Sequence, residues 1–169
     1  MGDFFSAFTD ETNLIWGGVV AVLSYLFGAH WPLFLLFFGL NVVDWIYGVA
    51  KAKATGTWSS AKGAKGAVKK VSYWVVIALA FGLSAVFLEL GTVIGVKLDF
   101  LQLIGWFVLA LYIINELTST LENMVALGVD VPEFLIRGLA AVKTAVDEAG
   151  DRVIPQTEDE AGEETPHKE

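Results

Sequence analysis

The chain has 169 residues, about the length of one domain, and it is strongly apolar, with 55% hydrophobic and 18% charged residues. The net charge of −8 is unevenly spread, because nine of the nineteen acidic residues lie beyond Ala145 while six lysines lie between Lys51 and Lys70. The absence of cysteine excludes disulfides, thiolate metal sites and cysteine nucleophiles.

Four apolar blocks follow a short acidic N-terminus, residues 1–12, which has no basic stretch typical of a signal peptide. Each block has about 17 to 20 residues, near the length that crosses a hydrocarbon core of roughly 30 Å. Four such helices buried in a soluble protein would leave too little polar surface for solvation. The predicted spans are residues 13–29, 33–50, 71–90 and 100–117. We therefore predict an all-α integral membrane protein whose transmembrane domain is residues 13–117.

The loop between the second and third blocks, residues 51–70, is rich in lysine and contains no acidic residue. Positive charge next to spans favours the cytoplasmic side, so this loop and, with four spans, both termini are predicted to be cytoplasmic. A lysine cluster beside a membrane also suits contact with anionic lipid better than contact with nucleic acid. Its members are Lys51, Lys53, Lys62, Lys65, Lys69 and Lys70. The expected location is the bacterial cytoplasmic membrane.

The C-terminal region, residues 118–149, is predicted to be helical. The helix of the fourth span is expected to continue until Gly128, and a second helix to begin around Pro132. One face of that helix is apolar and could lie on the bilayer surface or pack against a neighbouring subunit. The residues of this face are Leu135, Leu139, Val142 and Val146. The acidic tail, residues 150–169, is predicted to be disordered.

Five polar side chains in or beside the spans are candidates for a functional role, because a charge at the centre of a span costs about 2.5–3.5 kcal/mol. Asp44 is the deepest acid, and we expect it to face inward or to pair with Lys51 or Lys53. For Glu89 and Glu116, near span ends, both interfacial solvation and a buried role remain open. The candidates are Asn41, Asp44, Glu89, Asn115 and Glu116.

Small residues form stripes along two spans, and such faces let membrane helices approach closely. The stripes favour helix packing and a homo-oligomer. They consist of Gly17, Ala21, Ser24 and Gly28 in the first span, and of Ala78, Gly82 and Ala85 in the third.

No enzymatic motif accompanies these features. The two histidines, His30 and His167, show no metal-ligand spacing, and residues 56–70 lack the order of a phosphate-binding loop. We predict no catalytic, cofactor or metal site.

Two segments together resemble the phage holin family that includes the clostridial toxin-secretion holins. The first has an aspartate and a glycine at a span end, then a small basic loop with spaced glycines and two closing lysines: Asp44, Gly48, Ser60, Gly63, Gly66, Lys69 and Lys70. The second follows the last span and matches at Asn115, Glu116, Ser119, Glu122, Asn123, Gly128, Pro132 and Leu135.

The resemblance implies a membrane protein without catalysis that oligomerises and permeabilises the cytoplasmic membrane. It would release a cell-wall lysin or a toxin without necessarily touching it. Two alternatives stay open. One is a non-lytic channel or structural assembly of the same fold, and the other is an anchor whose acidic tail recruits a cytoplasmic partner.

Overall fold

The computed structural model describes residues 16–21, 24 and 28–153, and within these residues the chain is helical and contains no strand. Residues 16–21 form a short helical stretch. The order that follows is a 3-10 turn at Gly28–His30, α1 at Trp31–Ala54, α2 at Ser60–Ile94, a 3-10 turn at Asp99–Leu103, α3 at Ile104–Ala126 and α4 at Glu133–Val153. The predicted all-α class is therefore confirmed for the described part of the chain.

Within the described residues, three helical segments are long and apolar enough to cross a membrane: Gly28–Ala54, Ser60–Ile94 and Asp99–Ala126. They contain the predicted spans 33–50, 71–90 and 100–117. The predicted first span, residues 13–29, lies largely outside the described residues, as do most of the N-terminus and residues 154–169 of the acidic tail. The structure thus supports three spans.

The connection between α1 and α2 is much shorter than the sequence predicts. Residues 51–70 were expected to form a loop, but only residues 55–59 are non-helical. The reason is local: alanine and lysine are good helix formers, and Ser59 caps α2 by accepting a hydrogen bond from the backbone N–H of Lys62 at 3.2 Å. The lysines of this segment therefore lie on α1 and α2 and not in a loop.

The helix ends follow sequence signals in two further places. Gly95 has a φ of +75° and ends α2, and Gly128 has a φ of +83° just after α3. The N–H of Val129 reaches back to the carbonyl of Met124 at 3.0 Å. The stop predicted at Gly128 is confirmed, and so is the second helix, which begins directly after Pro132.

The central helix is α3, which packs against α1, α2 and α4, while α1 and α2 touch each other little. The buried core is formed by Phe34, Phe37, Ile77 and Leu109. Near the start of α3, the ring of Phe81 lies so close to Gly105 that a Cβ there would be 2.6 Å from a ring carbon. Glycine is what allows this approach of α2 to α3.

The outward surfaces of α1 and α2 are covered by large apolar side chains, as expected of surfaces that face lipid. Among the most exposed are Leu35, Phe38, Val71, Leu79, Val86 and Val93. The small stripe residues Ala78, Gly82 and Ala85 lie on the same exposed side of α2.

Helix α4 folds back along α3 in the antiparallel direction. Val146 and Gly150 share a cavity of about 470 Å³ with Ile104 and Leu111, so the C-terminal end of α4 lies beside the N-terminal half of α3. Leu139 and Val146 are half-buried there, whereas Val142 is 50% exposed. The predicted apolar face thus packs in part on its own chain, because α3 offers an apolar surface directly upstream.

Candidate functional site

Asp44 joins all three apolar helices. Its Oδ2 accepts a hydrogen bond from Nζ of Lys70 on α2 at 2.8 Å, and its Oδ1 accepts one from Nδ2 of Asn123 on α3 at 3.0 Å. The carboxylate is 14% exposed. Both oxygens of this partly buried acid are therefore satisfied by charged or amide donors, as a group withdrawn from water requires. The inward contact predicted for Asp44 is present in the structure, but its ionic partner is Lys70 and not Lys51 or Lys53.

Lys70 lies between two acids. The same Nζ also donates to Oε2 of Glu116 on α3, and the side chain of Glu116 is 4% exposed. A carboxylate buried to this degree depends on its partner, because removing one member of a buried ion pair leaves an uncompensated charge. Sequence alone left open whether Glu116 is solvated at the interface or buried, and in the structure it is buried.

Lys51 completes the arrangement through an amide. Its Nζ donates to Oδ1 of Asn123 at 3.2 Å, so Asn123 bridges Lys51 and Asp44. We call these five side chains the charge network: Lys51, Asp44, Lys70, Glu116 and Asn123. Its two carboxylates and two ammonium groups balance formally, and hydrogen bonds in such connected networks reinforce one another.

Two buried polar atoms adjoin the network and lack a hydrogen-bond partner within the described residues. They are Oδ1 of Asn41 and Oγ1 of Thr120. Asn41 lies one turn before Asp44, and its Nδ2 donates to the carbonyl of Phe37 at 2.7 Å. Thr120 lies one turn after Glu116. Buried oxygens of this kind are sites where water is expected to be favourable.

The other lysines of the basic segment do not enter the network. Nζ of Lys62 donates to the carbonyl of Thr57 at 2.9 Å, and Lys53 stands over the ring of Trp58 at 5.9 Å. Lys69 stands over the ring of Tyr73 at 5.6 Å, and Lys65 is exposed. These groups remain available at the surface of one end of the helical bundle.

The glycines of the basic segment pack against aromatic rings. A Cβ at Gly63 would be 2.6 Å from the ring of Trp58, and one at Gly66 would be 3.9 Å from Cδ1 of Trp45. Gly48 lies next to the network, where a Cβ would be 3.7 Å from Nδ2 of Asn123. Of these three positions, only Gly63 lies too close to its neighbour for a Cβ, since 3.7 and 3.9 Å are ordinary van der Waals contacts.

Several predicted residues lie apart from the network. Glu89 and Asn115 are exposed, as are Ser60 and Glu122. Of the first small-residue stripe, Gly17, Ala21 and Gly28 are exposed and Ser24 is half-buried. The polar side chains that the structure brings together are thus Asp44 and Glu116, with Asn41 one turn away.

Sequence reasoning missed the roles of Lys70 and Asn123. The sequence patterns assign Lys70 to topology, lipid contact and the family pattern, and Asn123 only to the family pattern. One signal was available, since Asn123 follows Glu116 by seven residues and so lies on the same face of α3. Nothing in the spacing of Lys70 relative to Asp44 indicates that the two meet, because the turn at residues 55–59 sets their register.

The comparisons with known proteins agree with this architecture. The profile of the bacteriophage holin family matches residues 21–144. An uncharacterized protein of Halalkalibacterium halodurans is 32% identical over 135 residues, which cover 79% of this chain and 96% of that protein. An uncharacterized protein of Listeria innocua is 32% identical over 118 residues, covering 70% of this chain and 76% of its own length.

A third relative, an uncharacterized 14.9 kDa protein in the nagH 3′ region of Clostridium perfringens, is 34% identical over 131 residues, covering 75% of this chain and 91% of its own length. No solved structure matches. The residues matched by the family profile include all five members of the charge network and the three apolar helical segments. The chain is a membrane protein that belongs to the bacteriophage holin family.

Proposed function

We propose that the chain is a holin: it accumulates in the bacterial cytoplasmic membrane, assembles with copies of itself and opens a water-filled path through which a cell-wall lysin or a toxin is released. The observation that carries this proposal is the family match over residues 21–144, which includes the three apolar helices. Holins act by forming pores and not by catalysis. The lysin or toxin needs no direct contact with the chain.

The outer surfaces and the charge network support assembly in a membrane. The exposed apolar side chains of α1 and α2 suit lipid or a second copy of the chain. The oxygens of Asn41 and Thr120 would gain hydrogen bonds if water entered between the helices. The unit thus has polar groups that water would satisfy when helices rearrange.

The orientation follows from charge. The lysines at the junction of α1 and α2 favour a cytoplasmic position for this end of the bundle, in contact with anionic lipid. The segment that enters α4 is then cytoplasmic too. A cytoplasmic N-terminus further requires that residues 13–29 cross the membrane as a fourth span.

Inducible expression in bacteria tests the proposal directly. Potassium efflux and entry of an impermeant dye are followed over time, with and without co-expression of a cell-wall hydrolase. We expect a delayed, abrupt loss of membrane integrity, and lysis when the hydrolase is present. Continued growth with an intact membrane, although the protein accumulates, would reject holin activity.

A second candidate function, a non-lytic ion channel, is favoured by one observation: Asp44 and Glu116 share Lys70 inside the bundle, where they could exchange a proton or a cation. Purified protein in liposomes distinguishes the two. A channel that uses Asp44 would lose ion flux in Asp44→Asn, while the exposed Glu89→Gln serves as the matched control. Equal flux in all three proteins would remove Asp44 from any conduction mechanism.

A further inference from the structure

Helix α4 has two unlike faces. Leu139, Val146 and Val153 lie on one side and are half-buried, in part against α3. On the opposite side, within an arc of about 60° at 100° per residue, lie only polar side chains. These are Glu133, Arg137, Thr144, Glu148 and Asp151, and all five are exposed.

The position of α4 sets the depth of these polar groups. Asp147 and Asp151 line the same cavity as Ile104 and Phe107 of α3. Those two residues belong to the segment Asp99–Ala126, which is apolar enough to span a membrane. The last two turns of α4 therefore lie beside the half of α3 that is remote from the lysine-rich end.

Such a helix cannot face lipid with its polar side. The hydrocarbon region offers no hydrogen-bond partners, and charged side chains at that depth turn towards protein or water. The large exposed side chains of α1 and α2 are apolar, in keeping with this rule. The outward surface of α4 carries charges instead, while α3 contacts α4 on the side that holds Val146 and Gly150.

We infer that the polar face of α4 lines the water-filled path that forms when copies of the chain assemble, an inference that rests on the proposed pore formation. Docking on α3 lets α4 present Thr144 and its charged neighbours to water while Val146, on its apolar side, packs beside α3. The helix has four acidic and three basic side chains, Glu133, Asp147, Glu148, Asp151, Arg137, Lys143 and Arg152. This mixture suits a hydrated wall that admits solutes of both signs better than a selective filter.

The same amphipathicity would also suit a helix lying on the cytoplasmic membrane surface. In that position the polar face would be wet at all times but would not border the path. The two arrangements differ in one measurable respect: whether a charge attached to the polar face changes the current through the pore.

The natural absence of cysteine makes this measurable in the full-length chain. Thr144→Cys places a thiol on the polar face, and it removes no contact between helices because the Thr144 hydroxyl donates to its own helix at Ala140 O, 3.2 Å away. Val142→Cys, 50% exposed on the opposite face, is the matched control. Each protein is reconstituted in planar bilayers and exposed to methanethiosulfonate reagents that attach either a negative or a positive group.

We expect a stepwise loss of conductance with both reagents at Thr144→Cys, with reversal potentials that shift in opposite directions for the two charges. Val142→Cys should show neither change. Unchanged currents at Thr144→Cys, after labelling is verified by mass, would overturn the pore-lining role and leave pore formation standing. Absence of any conductance from the cysteine-free chain would overturn pore formation, and this inference with it.

A second measurement tests the docked position. Val146 and Val108 line the same cavity, so the pair Val146→Cys and Val108→Cys can be bridged by a short bifunctional thiol reagent. A pore lined by docked α4 stays conductive after bridging. Loss of conductance on bridging, but not when either single-cysteine variant is treated, would show that α4 must leave α3 and would overturn the inference.

Discussion

The two ends of the three-helix bundle are held together by different forces. At the end away from the lysines, rings of three elements meet: the ring centroids of His30 and of Phe81 each lie 5.0 Å from that of Trp106. At the lysine-rich end, Asp44, Lys70 and Glu116 join the same helices through ionic hydrogen bonds.

The aromatic end gains from contact area and ring geometry, and neither depends on the presence of water at a single atom. The ionic end depends on complete pairing, because each buried charge is costly without its partner. The aromatic end should therefore tolerate the entry of water, whereas the ionic end is stable only while its charges stay paired. If helices separate when the path opens, the ionic end is where water gains most, and substitutions there should have the larger effects.

Lys70→Met should produce the largest loss. It leaves Asp44 and Glu116 facing each other without a cation, and breaking a buried ion pair in this way costs about 3–5 kcal/mol. The measurement is the free energy of unfolding in mixed micelles. Lys65→Met, which removes an exposed lysine of the same helix, controls for the lost charge and should change little.

The triple variant Asp44→Asn, Lys70→Met, Glu116→Gln separates ion pairing from packing. With all three charges gone, no uncompensated charge remains, and we expect most of the lost stability to return. A triple variant as unstable as Lys70→Met alone would contradict the view that unpaired charge causes the loss.

Gly105→Ala should break the aromatic end, with a smaller effect. The added methyl would be 2.6 Å from the Phe81 ring, and overpacking of this kind typically costs about 1–3 kcal/mol. Gly82→Ala is the control, since nothing lies within 4 Å of a Cβ there. Because alanine favours helix over glycine, this control should be neutral or stabilising by up to about 1 kcal/mol. Equal effects at the two positions would show that the ring contact at Gly105 does not limit packing.

Asn123→Ala should weaken the ionic end by less than Lys70→Met. Asp44 would lose one of its two donors but keep Lys70, and Lys51 would lose its amide acceptor but can reach solvent. We expect a loss of about 1 kcal/mol, the net value of a typical hydrogen bond. Glu122→Ala, at the exposed neighbouring position, is the matched control. Equal losses in both variants would show that the Asn123 bridge does not explain the change, since alanine itself favours the helix.

The structural features of the two ends could be predicted from the sequence to different extents. The spans follow from apolar length, and the end of α3 from Gly128, since both depend on residues close in the chain. The pairing of Asp44 with Lys70 joins residues 26 positions apart across a turn, and no local pattern encodes that register. The lysine-rich segment was predicted as a loop because its charge and glycines outweighed its alanine content, whereas the Ser59 cap and helix propensity decide the structure. The spacing of apolar residues in α4 predicts an amphipathic helix, but not that α3 is its partner.

The smallest expected effect concerns the exposed side of α2 and the contacts between copies of the chain. We propose that the stripe of Ala78, Gly82 and Ala85 is where copies of the chain approach, because small residues let membrane helices pack closely. Gly82→Leu adds a side chain whose Cβ meets nothing of its own chain. The free energy of unfolding of the monomer should therefore be unchanged or slightly raised, while self-association falls. Energy transfer between labelled copies in liposomes measures this, with Val76→Leu, on an exposed valine about 120° away from Gly82 around the same helix, as the control. Unchanged energy transfer in Gly82→Leu would place the contact between copies on another face and leave the stripe to lipid.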